Sequence, residues 1–191
     1  MKTFNIYLSG VGGQGIGLLS ELILRAVDHA GQPVKAVDTH GLAQRGGIVV
    51  SHIRIGPAVF SPLIRPHQAD LVVALERHEA LRSVVRFGRP GGTLIYYDTV
   101  WQPLDVRLDK MPEVSAADIR ECCSQAGISL IEIFDADLED ARTQNIMLLA
   151  HIDHHGLLPG VQAADYEQAM QDLMEGRMLE LNQALFKHKR T

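Results

Sequence analysis

The residues best suited to chemistry stand in two glycine-bearing stretches, Gly10-Val-Gly-Gly-Gln-Gly-Ile-Gly17 and His40-Gly-Leu-Ala-Gln-Arg-Gly-Gly47. In the first, Gly10, Gly12 and Gly15 fit a G-x-G-x-x-G spacing, with Gly13 and Gly17 as extras. Glycines at that spacing permit a tight turn and a close approach of backbone to ligand. A helix opening just after them aims N–H groups and partial positive charge at an anion. In the second stretch, Arg45 can grip a carboxylate or phosphate through two parallel hydrogen bonds. His40 and Gln44 can donate or accept beside it, and Gly46 and Gly47 let another backbone come near. Asp38 stands 23 residues after Gly15, where a dinucleotide-binding fold carries its ribose-binding acid. An Arg45–Asp38 ion pair that merely shapes the turn is the structural alternative. Ser51 and His52 follow on the next extended run.

The elements that must position these residues are legible as apolar patterning. Phe4–Ser9 reads as a strand, and Gly15–Ala30 as a helix whose apolar face carries Leu18, Leu19, Leu22, Ile23, Ala26 and Val27. Gly31 and Pro33 stop that helix. Val34–Val37 is a short strand ending at Asp38, and Ile48–Ile55 is rich in β-branched residues. Ala69–Leu75 is apolar almost throughout, as in a strand covered on both faces. Helical signal follows at Glu79–Arg86, and a strand from Gly91 to Asp98. Ser115 opens a helix to Ala126, stopped by Gly127. Next come a strand at Ser129–Phe134, a helix at Leu138–His151, and helices at Tyr166–Met174 and Met178–Lys187. Trp101–Pro112 is an irregular excursion. Alternation of this kind predicts a three-layer α/β/α, Rossmann-like fold with a mostly parallel sheet. The 191 residues are expected to form a single domain, with C-terminal helices at about 162–189 as an appendage.

Composition narrows the functions. A net charge of −5 disfavours nucleic acid as a partner. The basic cluster Lys187-His-Lys-Arg190 at the C-terminus reads as a solvated tail. Cys122 and Cys123 are the only cysteines, and neighbours on a helix diverge, so neither a disulfide nor a four-thiolate iron–sulfur cluster is available. No apolar run is long enough to span a membrane, and no leader is evident, which places the expected location in the cytoplasm. His151-Ile-Asp-His-His155 has zinc-compatible spacing but lacks a further clustered ligand, so a helix-end role is preferred and no metal site is assigned.

Taken together, the glycine loop, Thr39-His-Gly-Leu-Ala-Gln-Arg-Gly-Gly47 and Ser51-His-Ile-Arg-Ile-Gly56 resemble the gamma subunit or domain of 2-oxoacid:ferredoxin oxidoreductases. Ser61-Pro-Leu-Ile64, Ala69–Glu76 and Gly91-Gly-Thr-Leu-Ile95 extend the likeness, which covers most of residues 4–150. Within that family it is most similar to the small beta subunit of indolepyruvate:ferredoxin oxidoreductase. The resemblance implies oxidative decarboxylation of a 2-oxoacid, an aryl pyruvate such as indolepyruvate, with coenzyme A. Thiamine diphosphate and iron–sulfur clusters would be carried by larger partner subunits, with ferredoxin as acceptor. This chain would not be catalytic alone, and a homodimer is plausible for the isolated subunit. Gly12, Gly13, Gln14 and Gly15, with Asp38, His40, Gln44, Arg45, Gly46, Gly47 and Ser51, would contact the ligand or the partner; none is assigned as acid, base or nucleophile. A stand-alone, NAD-type nucleotide-binding oxidoreductase or sensor is the competing reading.

Overall fold

Side chains alternate across the central strands and feed two cores, one on each face of a sheet. The computed structural model describes residues 2–40, 47–101, 112–136, 138 and 143–190. In chain order the elements are β1 (Phe4–Val11), α1 (Ile16–His29), β2 (Val34–His40), β3 (Ile48–Ile55), β4 (Ala69–Ala74), α2 (Arg77–Phe87) and β5 (Gly88–Tyr97). Then follow α3 (Ala116–Ala126), β6 (Ser129–Ile133), α4 (Gln144–His154), α5 (Ala163–Leu173) and α6 (Gly176–Lys189). The strands form one sheet in the order β2-β3-β1-β4-β5-β6.

Ile6 and Leu8 of β1, Leu71 and Val73 of β4, and Ile95 and Tyr97 of β5 face one core with α1, α4, α5 and α6. Their neighbours Tyr7, Val72, Ala74, Leu94 and Tyr96 face the other, under α2 and α3. A period of two with both faces covered is why these strands read as near-continuous apolar runs. The expected three-layer α/β/α architecture is therefore present.

Only β3 departs from the parallel sense: it runs antiparallel to both β1 and β2, lying between them. The chain leaves β1, crosses through α1 to the outer strand β2, then returns as β3 to fill the gap. In a dinucleotide-binding fold the first two strands are side by side; here an antiparallel strand separates them.

Several boundaries behave as patterned. Ser115 and Asp118 form the reciprocal capping box at the start of α3, and Gly127 closes it at φ 64°. Other boundaries differ. β2 extends to His40, so Asp38 lies inside the strand opposite Ser51 rather than at its end. The helix expected at Leu138–His151 runs over Gln144–His154, and Leu138 precedes it. The C-terminal helices, expected as an appendage, put Tyr166, Met170 and Phe186 into the same buried cluster as α1. The excursion expected at Trp101–Pro112 lies, over 102–111, outside the described residues.

Candidate functional site

The carboxyl ends of the parallel strands carry the glycine turn. As β1 ends, the Gly12 N–H donates to the Gly47 carbonyl at 2.8 Å, joining the end of β1 to the residue just before β3. The Gln14 N–H donates to the Val11 carbonyl at 3.0 Å, closing the turn. The Gln14 side chain then folds back. Its Oε1 accepts the Val11 N–H at 2.8 Å and its Nε2 donates to the Leu75 carbonyl at 3.0 Å, so the amide clamps β1 to the end of β4. With the residue only 3% exposed, both ends of that amide are committed to the scaffold.

Gly15 takes the N-cap position of α1 at φ 79°, a left-handed conformation that an L side chain rarely adopts, and no side chain caps the helix. The first helical bond runs from the Leu19 N–H to the Gly15 carbonyl at 3.1 Å. The N–H groups of Ile16, Gly17 and Leu18 therefore lie upstream of the intrahelical ladder. Beside them is a cavity of about 390 Å³ lined by Val11, Gly12, Gly13, Gly15, Gly17 and Val49, among others. Trp101, half exposed, sits against Gly13: a Cβ at that glycine would lie 3.7 Å from its ring. Uncapped N–H groups, the positive end of a helix and a cavity bounded by glycines fit a phosphate or carboxylate.

The other residues singled out in the sequence separate into groups. Gly47 lies at this edge through its carbonyl. Asp38 does not face the cavity lined by Gly12–Gly17. Its Oδ1 accepts from Ser51 Oγ at 2.5 Å and from Ser20 Oγ at 3.2 Å, tying α1, β2 and β3 together. Ser51 is fully buried in that arrangement. The backbone of His40 is the last residue of β2, paired with Val49 at the same edge; its side chain, and Gln44, Arg45 and Gly46 entirely, lie outside the described residues.

In sequence, Glu76-Arg-His-Glu79 follows the buried run Ala69–Leu75, a position that suits a crevice-facing group and a solvated helix start equally. Glu76 is fully buried and caps that helix, accepting the His78 N–H at 3.0 Å and the Glu79 N–H. Glu79 is 1% exposed and its carboxyl is pushed up to about 7, chiefly by burial, with Glu76 adding to the rise and Arg82 opposing it. Arg77 grips Asp98 with both arms of its guanidinium, fixing the end of β5 to the start of α2. The one available signal was position: these residues follow the carboxyl end of a buried strand, where α/β folds place functional groups.

Elsewhere the chemistry is quiet. Cys122 and Cys123 are both free thiols, and burial pushes Cys123 up to about 11. They do not fit an iron–sulfur cluster. Among the described residues no group of three or more His, Cys, Asp or Glu could hold a metal ion, His151, His154 and His155 included.

The chain as a whole resembles known proteins. The family model of pyruvate ferredoxin/flavodoxin oxidoreductase matches residues 5–189. The chain belongs to that family. Family relatives include indolepyruvate oxidoreductase subunit IorB of Methanothermobacter thermautotrophicus, 29% identical over 188 residues, covering 96% of this chain and 94% of the relative. IorB of Archaeoglobus fulgidus is 53% identical over 78 residues, a match that spans 41% of this chain and only 38% of that protein's length.

Two solved structures share the fold. One is the gamma subunit of a keto/oxoacid ferredoxin oxidoreductase from Geobacter sulfurreducens, with a TM-score of 0.65 at 20% identity, covering 98% of this chain and 96% of that one. The other is 2-oxoglutarate:ferredoxin oxidoreductase from Magnetococcus marinus, solved with 2-oxoglutarate, coenzyme A and succinyl-CoA bound. There the TM-score is 0.72 at 16% identity, and the match covers all of this chain but 31% of that one. Homologues within the family are thus subunits of multisubunit oxidoreductases, and no helix among the described residues is long and apolar enough to cross a membrane.

Proposed function

We propose that this chain is the small, gamma-type subunit of a thiamine-diphosphate-dependent 2-oxoacid:ferredoxin oxidoreductase in the cytoplasm. Indolepyruvate or a related aryl pyruvate is the substrate, decarboxylated oxidatively with coenzyme A as acyl acceptor. The observation that carries the reading is the end-to-end match to an IorB subunit, 96% of this chain against 94% of the relative. Thiamine diphosphate and iron–sulfur clusters supply the decarboxylation and electron transfer from larger partner subunits, which pass electrons to ferredoxin. That division agrees with two adjacent cysteines, too few for a cluster. The chain is inactive alone, and when isolated it pairs with itself.

Within the assembly, the glycine edge meets coenzyme A phosphates or a partner loop. Gly12, Gly13 and Gly15 supply the approach surface, while Gly47 joins them through its bond to Gly12. His40, Gln44 and Arg45 supply polar contacts to the coenzyme A phosphates or to the partner, and Gly46 lets a ligand or partner backbone come near. Gln14, Asp38 and Ser51 serve the site by holding its scaffold. The NAD reading loses its footing in the geometry: Asp38 is engaged by two serines, and β3 lies between its strand and β1.

The decisive experiment is anaerobic purification of the tagged chain from its native host, with mass spectrometry and viologen-reduction assays on the eluate. A larger partner with thiamine and cluster motifs, together with viologen reduction requiring a 2-oxoacid and coenzyme A, is the expected result. A chain that emerges alone without that activity overturns the subunit reading.

A further inference from the structure

The two faces of the β2–β3 hairpin are covered unequally. Asp38 of β2 and Ser51 of β3 turn toward α1, where they meet Ser20. Side chains alternate along a strand, so Lys35, Val37 and Thr39 of β2, with Arg54, His52 and Val50 opposite them, face the other way. On that side α2 lies over β1, β4 and β5 instead, and Lys35, Thr39 and Ile48 are exposed. The loop after β3 folds onto the far end of the same face. Arg54 Nη1 donates to the Ser61 carbonyl at 2.8 Å, the Ile64 N–H donates to His52 Nδ1 at 3.1 Å, and Val59 and Ile64 are buried. Pinned at those points, the loop still holds Phe60 91% and Leu63 57% exposed. Large apolar side chains presented to water on a fixed backbone are set for contact with another molecule.

Charge on this side has one sign. Between Asp38 and Asp98 the chain carries seven arginines and three carboxylates, although its net charge is −5. All three carboxylates are taken up within the fold. Asp70 accepts from Arg89 and the Asn5 N–H, Glu76 caps α2, and Glu79 lies buried under Arg82. Among the described residues, exposed Arg65 and Arg86 pair with no carboxylate. Arg86 borders a hollow of about 200 Å³ beside Ile48 and Val50, and Arg65 one of about 440 Å³ beside Arg54 and Leu63.

We propose that this open face of β3, from Ile48 to the Phe60 loop, docks a second protein subunit whose apolar contact surface is rimmed by aspartates or glutamates. Phe60 and Leu63 enter the partner, Ile48 and Val50 form a flat apolar floor, and Arg65 and Arg86 meet its carboxylates. A second copy of this chain is disfavoured, because a two-fold contact would set the same arginines against one another. A nucleic acid would satisfy the arginines but would lay Ile48, Val50 and Leu63 against a phosphate-rich strand. The proposal rests on the subunit reading, which requires a partner chain, and it places the contact across the sheet from the cavity lined by Gly12–Gly17.

The test uses the complex recovered anaerobically from the native host through the tagged chain. Hydroxyl-radical footprinting is expected to oxidise Phe60 and Leu63 about threefold or more slowly in the complex than in the free chain. Phe60→Asp, and Arg65→Glu combined with Arg86→Glu, should each lower the recovered partner about tenfold. The melting transition should be kept, because these side chains are exposed. Arg65→Lys combined with Arg86→Lys keeps the positive charge and should retain the partner. A complex in which Phe60 and Leu63 oxidise as in the free chain, or one that survives both sets of changes, overturns the proposal and leaves the subunit reading intact. A chain that emerges alone overturns the subunit reading and the proposal together. Loss of the partner on ribonuclease treatment reassigns the face to nucleic acid, and a homodimer broken by Phe60→Asp reassigns it to a second copy. Either of those outcomes overturns the proposal.

Discussion

Gly15 and Asn145 face each other so closely that a Cβ at Gly15 would lie 2.9 Å from Asn145 Nδ2. The starts of α1 and α4 therefore meet at the glycine turn, and the residue that opens one helix is confined by a buried amide from the other. Gly15→Ala combines that clash with a φ of 79°, and the expected loss is about 2–3 kcal/mol of stability by chemical denaturation. Asn145→Ala on the Gly15→Ala background should recover part of the loss, a coupling that a double-mutant cycle reads directly.

Gln14 offers a separate test of the same turn. Replacing it with Ala leaves the buried Val11 N–H and Leu75 carbonyl without their partners at 2.8 and 3.0 Å. The expected cost is about 2–4 kcal/mol. Hydrogen exchange should show the Val11 amide losing protection before the core of β4 does.

Gly17 separates ligand contact from folding. A Cβ there meets nothing within 4 Å, yet the residue lines the cavity beside the uncapped helix start. Gly17→Asp is expected to leave stability within about 1 kcal/mol, since an acidic residue suits the first turn of a helix. In the assembled oxidoreductase it should raise the KM for coenzyme A about tenfold or more and leave the KM for the 2-oxoacid unchanged. An unchanged KM for coenzyme A would move the phosphate contact away from this edge.

Much of this organisation was legible in the residues, and the exceptions have physical causes. β1, β4 and β5 were evident because burial on both faces demands continuous apolar runs, and α1 because its apolar stripe repeats at helical spacing. The wedge of β3 between β1 and β2 was not, since strand order leaves no local trace in composition. Gln14 looked like a ligand contact because a polar residue in a glycine turn gives no sign of whether it turns outward or folds back. The acidic start of α2 suited a crevice-facing group and a solvated helix start equally. Only the fold shows Glu76 consumed as a cap and Glu79 sealed beneath Arg82.

Glu79 also gives the stability a pH slope of defined sign. Its folded carboxyl sits at about 7 against an ordinary 4.5, so between those values the native state holds more proton than the unfolded chain. Stability should therefore fall as pH rises through that window, by about 3 kcal/mol in total, and level off above it. Glu79→Gln should flatten that part of a denaturation-midpoint profile measured from pH 4.5 to pH 8.

The hairpin formed by β2 and β3 has a consequence for how such a protein can change. Its two arms are locked by paired register to each other, and β3 to β1 as well, and both open toward the edge where Gly12 meets Gly47. A connection hung from such a clamped pair can lengthen, shorten or exchange residues at little cost to the sheet beneath. Recognition and architecture are thereby uncoupled: selection can rewrite what the edge touches while the scaffold that presents it stays the same.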